Sequence, residues 1–147
     1  MKYTKGSIGR VFVLKFDDRD ILLEELKAFI RKEKVRSAAM VFIGALKKGV
    51  LVTGPKKPVI PPEPNRVNFK DAWEAVGVGT IFSDPKGGPQ IHIHAGMGRK
   101  KGALIGCVRE RSSVFLVMEA IVFELKGVRA SKSIDPETGL NLLRIVK

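Results

Sequence analysis

The spacing of apolar residues changes period once near the start of the chain and afterwards keeps the period of a strand. Residues 9–16 include Val11, Phe12, Val13 and Leu14 in succession, an unbroken run that predicts a strand buried on both faces. Over 21–33 the pattern switches, and Leu22, Leu26, Phe29 and Ile30 recur at the spacing of one helical face. Asp17, Asp18 and Asp20 stand just before this helix, where carboxylates satisfy free N–H groups and suit the positive end of the dipole. Arg31, Lys32 and Lys34 suit its negative end.

Beyond the helix the pattern predicts strands over 38–43, 49–53, 73–82, 90–95, 103–108, 114–125 and 140–146, with Gly44 permitting a bend. Residues 54–68 are rich in proline. Proline has no N–H for a ladder, so this stretch reads as an exposed loop. Turns are expected at 85–89, at the basic glycine segment 96–102 and at 135–139. Many strands after one early helix predict an α+β fold, a mostly antiparallel sheet with one main helix packed on it.

Length and composition add bounds. The chain has 147 residues, 44% of them hydrophobic, which suits one domain over 1–147 with one core. Its single cysteine, Cys107, rules out an intrachain disulfide and a zinc finger built on several thiolates. The apolar stretch after Lys2 and Lys5 is too short for a signal peptide, and Val114–Phe123 is interrupted by Glu119 and too short to span a bilayer. A cytoplasmic protein with no membrane partner is therefore expected. The net charge of +12 favours polyanions such as DNA, or else marks a solvated basic surface, since the basic residues are scattered in pairs.

The candidate chemistry centres on His92-Ile93-His94, which contains both histidines of the chain. In a strand, residues i and i+2 share a face about 6.5–7 Å apart, so the two imidazoles can converge on one divalent metal such as zinc. They can equally form a hydrogen-bonded pair on the sheet surface. Cys107 is the candidate third ligand as a thiolate, with a small buried hydrophobe as the alternative. Glu74 and Glu119 lie within apolar strands and need a metal, an ion pair or solvent. Arg99, Lys100 and Lys101 on the glycine turn are candidates for phosphate contact or for a solvated tip. No nucleophile elbow, Walker loop or H-E-x-x-H segment occurs, which favours binding over catalysis, with a metal-dependent small-molecule binder or enzyme using His92 and His94 as the alternative.

The order of these features resembles the plants-and-prokaryotes conserved (PPC) domain over nearly the whole chain. The similar segments are Asp17-Asp18 before the helix, Phe42-Ile43-Gly44-Ala45-Leu46, Trp73-Glu74-Ala75, His92-Ile93-His94, Leu104-Ile105-Gly106, Met118-Glu119-Ala120-Ile121-Val122 and Asp135-Pro136-Glu137-Thr138-Gly139-Leu140. The resemblance implies an antiparallel α+β fold assembled as a homotrimer, and a DNA-binding or regulatory role. The DNA-binding label belongs to members with a separate AT-hook, whose Arg-Gly-Arg-Pro core is absent here. The resemblance also implies, for some prokaryotic members, a metal held by the histidine pair and a third histidine in a "GGH" segment. This chain has Gly106-Cys107-Val108 there. In one register Cys107 takes the third histidine's place. In the other Val108 does, and Cys107 faces away, because a slip of one residue flips a strand's side chains.

Overall fold

Alternation along the first strand puts Phe12, Leu14 and Phe16 on one face and Val11 and Val13 on the other, and only the first set meets the core. A computed structural model describes residues 1–146. Its first strand, β1 (Ser7–Asp17), lies at the edge of the sheet. The expectation of burial on both faces is therefore corrected: Val13 is 80% exposed. A continuous apolar run has this pattern equally when its second face is left bare.

The helix α1 (Leu22–Glu33) presents Leu22, Leu26 and Ile30 to the core, and Phe29 packs edge-on against Phe12 with ring centroids 5.0 Å apart. Each fully buried leucine contributes about 1.5–3 kcal/mol by leaving water. The helix start differs from expectation. Ile21 is the capping residue, with no side-chain cap. Asp20 instead accepts a hydrogen bond from the Asp17 N–H, and Asp18 accepts from Leu116 N–H and Lys47. The aspartates thus tie the chain entry to a neighbouring strand, and the Leu116 N–H holds the Asp18 carboxyl below its ordinary range. At the other end Lys34 adopts the left-handed conformation that closes the helix.

The remaining strands are β2 (Ser37–Pro55), β3 (Pro64–Ser83), β4 (Pro89–Arg99), β5 (Gly102–Val108) and β6 (Ser113–Lys126). With β1 they form a six-stranded antiparallel sheet in the order β1-β6-β2-β3-β4-β5. Segments 38–43 and 49–53 join in one long β2, with a shift in register at Gly44 where the backbone passes tightly over Met118. The proline segment is shorter as a loop than expected. Pro55 and Pro64 sit opposite each other as the last and first residues of their strands, positions where a missing N–H costs little. At the β1 edge Arg10 clamps Glu124 of β6, lowering that carboxyl from its usual 4.5 to about 2.

Length lets β2 do two things. Its first half pairs with β6, and its far end pairs with β5 through Leu51↔Val108 and Val52↔Cys107. Strand β5 is therefore held between β4 and β2, and this part of the sheet curls round on itself. Gly106 permits the closure, because a Cβ there would lie 2.6 Å from the Val52 carbonyl oxygen. A hairpin, β7 (Ala130–Ile134) and β8 (Asn141–Ile145), forms a separate two-stranded sheet. Its first strand was not anticipated, since Ala130-Ser131-Lys132-Ser133 carries little apolar signal. Among the described residues no helix is long and apolar enough to cross a membrane.

Candidate metal centre

Strand β4 orients the two histidines. Ile93 points to the core and is buried, so His92 and His94 face the opposite way. Their Nε2 atoms are 3.1 Å apart and the rings meet edge-on. At that distance one ring nitrogen donates a hydrogen bond to the other, the tautomer setting which. Burial lowers the pKa of His92, and the charges of Lys132, His94 and Arg109 add to the effect.

Cys107 sits directly opposite His94 across the β4–β5 ladder. Cross-strand partners share a face, so of the two registers open to the sequence the fold takes the one that turns the thiol toward the histidines. The ring nitrogens and the sulfur all lie within 4.8 Å of one another. Cys107 is buried at 4% exposure, and burial pushes its thiol pKa up. A bound cation would reverse that preference by taking the thiolate as ligand.

The donor set fits a divalent ion of borderline softness. Two ligand atoms on one tetrahedral zinc stand about 3.3–3.8 Å apart, and the histidine nitrogens are already near that spacing. Two imidazoles and a thiolate suit zinc or a late transition ion and leave a coordination position for water or a ligand. A cavity of 390 Å³ opens on the three side chains, with Arg66, Arg109 and prolines 55, 62 and 64 around it.

The carboxylates considered at the sequence level lie elsewhere. Glu74 and Glu119 are exposed and line a 760 Å³ groove on the bare sheet face, beside Ile43, Val76 and Ile105. They do not join the histidines and cysteine. This groove is larger than the cavity beside the histidines, yet its walls are mainly apolar. Arg99, Lys100 and Lys101 occupy the tight β4–β5 turn, with Lys100 left-handed and both lysines exposed. Arg99 pairs with Asp71 at 3.5 Å, which offsets part of the charge.

Lys132 escaped the sequence reading. It comes from β7, is 5% exposed and lines a second cavity of 530 Å³ on the other side of His92, with Lys27, Arg109 and Glu110. Burial lowers its pKa. Nothing in a short polar segment signals that its lysine will be folded inward.

Residues 3–126 match the Plants and Prokaryotes Conserved (PCC) domain, and the chain belongs to that family. No functionally curated protein matches it. Among solved structures it is similar to a plant- and prokaryote-conserved protein of Pyrococcus horikoshii, with 26% identity, a TM-score of 0.85 and coverage of 100% of this chain and 99% of that one. A metal-containing protein of Archaeoglobus fulgidus aligns at 22% identity and a TM-score of 0.84, covering 98% of this chain and 99% of that one. A candidate DNA-binding protein of Ralstonia eutropha aligns at 20% and 0.75, covering 91% and 90%.

Proposed function

We propose, from its membership of the plants and prokaryotes conserved family, that this protein is a metal-dependent small-molecule binder centred on His92, His94 and Cys107. The observation that carries the reading is the convergence of the three donor atoms within 4.8 Å at the mouth of a cavity. The metal-containing neighbour from Archaeoglobus fulgidus supports it. A metal there would act as a Lewis acid on a bound ligand or its water. The chain's own contribution is to hold the imidazoles on a rigid strand, to seat the thiol opposite them and to narrow solvent access with the proline-walled rim. Elemental analysis of untagged protein should find close to one metal per chain, and His92→Ala should remove it. Wild-type protein that stays free of metal after incubation with zinc would sink the reading.

The protein acts as a homotrimer in this reading, the order of three being that of the family resemblance. The bare sheet face supports association. Val13, Ile121, Val41 and Val78 form one cross-strand row, and Ile43 and Val76 lie in the next. All six are exposed, and an apolar patch of that extent marks an interaction surface. His94 continues the first row beyond Val78, which would set the metal centre beside a subunit boundary. Sedimentation should give three times the chain mass, and Val78→Asp should yield monomers. A wild-type monomer at micromolar concentration would refute this.

A second reading is a DNA-binding regulator, favoured by the net charge of +12 and by the candidate DNA-binding neighbour. Arg99, Lys100 and Lys101 would touch phosphates there. Binding to a labelled duplex should then weaken steeply with salt as counterions are released, and no binding at low salt would eliminate it.

A further inference from the structure

The cavity beside His92 has a feature that the metal centre does not require. Its wall contains a lysine that is almost wholly removed from water, on a hairpin beyond the residues matched by the family domain. Among the described residues the ion pairs involve Arg10, Lys15, Arg19, Lys47, Lys56, Arg99 and Arg144, and Lys132 is in none of them. Lys27 and Arg109 line the same 530 Å³ space, and they too are outside those pairs. Among the described residues Glu110 is the one carboxylate on its walls. A lysine side chain held this far out of water with no anionic partner among the described residues carries a desolvation cost, and three cations line the space against a single described carboxylate. A ligand bearing negative charge would relieve both.

We propose that this cavity binds the anionic end, phosphate or carboxylate, of a small organic molecule, with Lys132 and Arg109 as its counter-charges. The two groups suit the task in different ways. The guanidinium offers a planar fork that meets two oxygens at once, and the ammonium offers a point charge with three donors. His92, Arg109, Glu110 and Leu140 line both this cavity and the one that opens on Cys107. A ligand anchored at Lys132 therefore reaches past His92 toward the metal centre, with the proline-walled space for its apolar body. The hairpin supplies both the lysine and Leu140 of the roof. It is tethered to the sheet, where Asn141 donates to Gln90 at the start of β4.

This inference rests on the small-molecule reading above, and its test separates the two. The full chain is titrated by calorimetry with inorganic phosphate and, separately, with malonate, in the presence of a chelator so that no anion binds through a metal. Saturable binding of either probe is expected, and which one binds identifies the head group. Lys132→Met should weaken it roughly 10- to 100-fold, the worth of a hydrogen bond between charged groups. Arg109→Gln should weaken it as well, and carries the test if Lys132→Met does not fold. Lys70→Met, at an exposed lysine of β3 that lines none of these cavities, should leave it unchanged. Zinc content of Lys132→Met should equal that of the wild type. Absence of saturable binding of both probes to wild-type protein overturns the proposal, even if zinc is bound. Equal weakening by Lys70→Met overturns it too, because that result is diffuse attraction to a basic surface.

Discussion

The two ends of β4 both carry positive charge, and they differ in what surrounds it. At the turn, Arg99, Lys100 and Lys101 follow one another in sequence and project from a convex tip, with Arg99 drawn to Asp71. At the start of the strand, charge is gathered from separate parts of the chain: Lys27 from α1, Arg109 from just past β5, Lys132 from the hairpin, all around His92. Three adjacent cations in water are screened and mobile. Cations from three parts of the chain around a cavity are held apart at fixed positions, partly out of water, where each interacts more strongly with a ligand. The cluster most visible in the sequence is thus the weaker candidate for a site, and the stronger one is dispersed along the chain.

The sharpest way to break this comparison is to remove a donor from the histidine end. His94→Ala should lower zinc affinity on the order of 1000-fold, since a structural share of metal binding is lost, whereas Lys100→Ala should leave it unchanged. Competition with a chromogenic chelator measures both. Equal effects from the two variants would contradict the assignment. Cys107→Ser, by exchanging a thiolate for a poorer donor, should cost about 10- to 100-fold in the same assay.

The pH dependence sharpens the assignment at the histidine end. Burial raises the Cys107 thiol pKa, so a metal must displace its proton at neutral pH. Zinc affinity should therefore climb by about tenfold per unit between pH 6 and 8. A flat zinc profile would mean that the thiol is not a ligand. Two glycines give a smaller contrast, read by thermal or urea unfolding. Gly106→Ala should destabilise by about 1–3 kcal/mol, because its Cβ would strike the Val52 carbonyl. Gly98→Ala, with open space around it, should stay within about 0.5 kcal/mol. The smallest effect concerns the turn itself. Replacing Lys100 and Lys101 by alanine should reduce the salt slope of duplex binding by about one per charge removed. An unchanged slope would take the turn out of any DNA interface.

Much of the secondary structure was legible. The helix over Leu22–Glu33 and the shared face of His92 and His94 follow from residue spacing, because the backbone repeat fixes which side chains point together. Where local reading failed, a distant partner had intervened. Asp18 looked like a helix cap and is instead bonded to Leu116, far along the chain. Val11 and Val13 looked buried, yet both are exposed on the open side of β1.

The sequence by itself determined the α+β plan, the single early helix and two imidazoles on one strand face. Tertiary structure alone decided that Cys107 turns toward them, that Lys132 is folded inward from a polar hairpin and that one face of the sheet stays bare. The physical reason is the range of the interactions. Period and turn chemistry act over a few residues, whereas ladder register and layer packing are set by segments tens of residues apart. The closure of β5 onto the far end of β2, through Val52↔Cys107, is the long-range pairing that brings the thiol to the histidines.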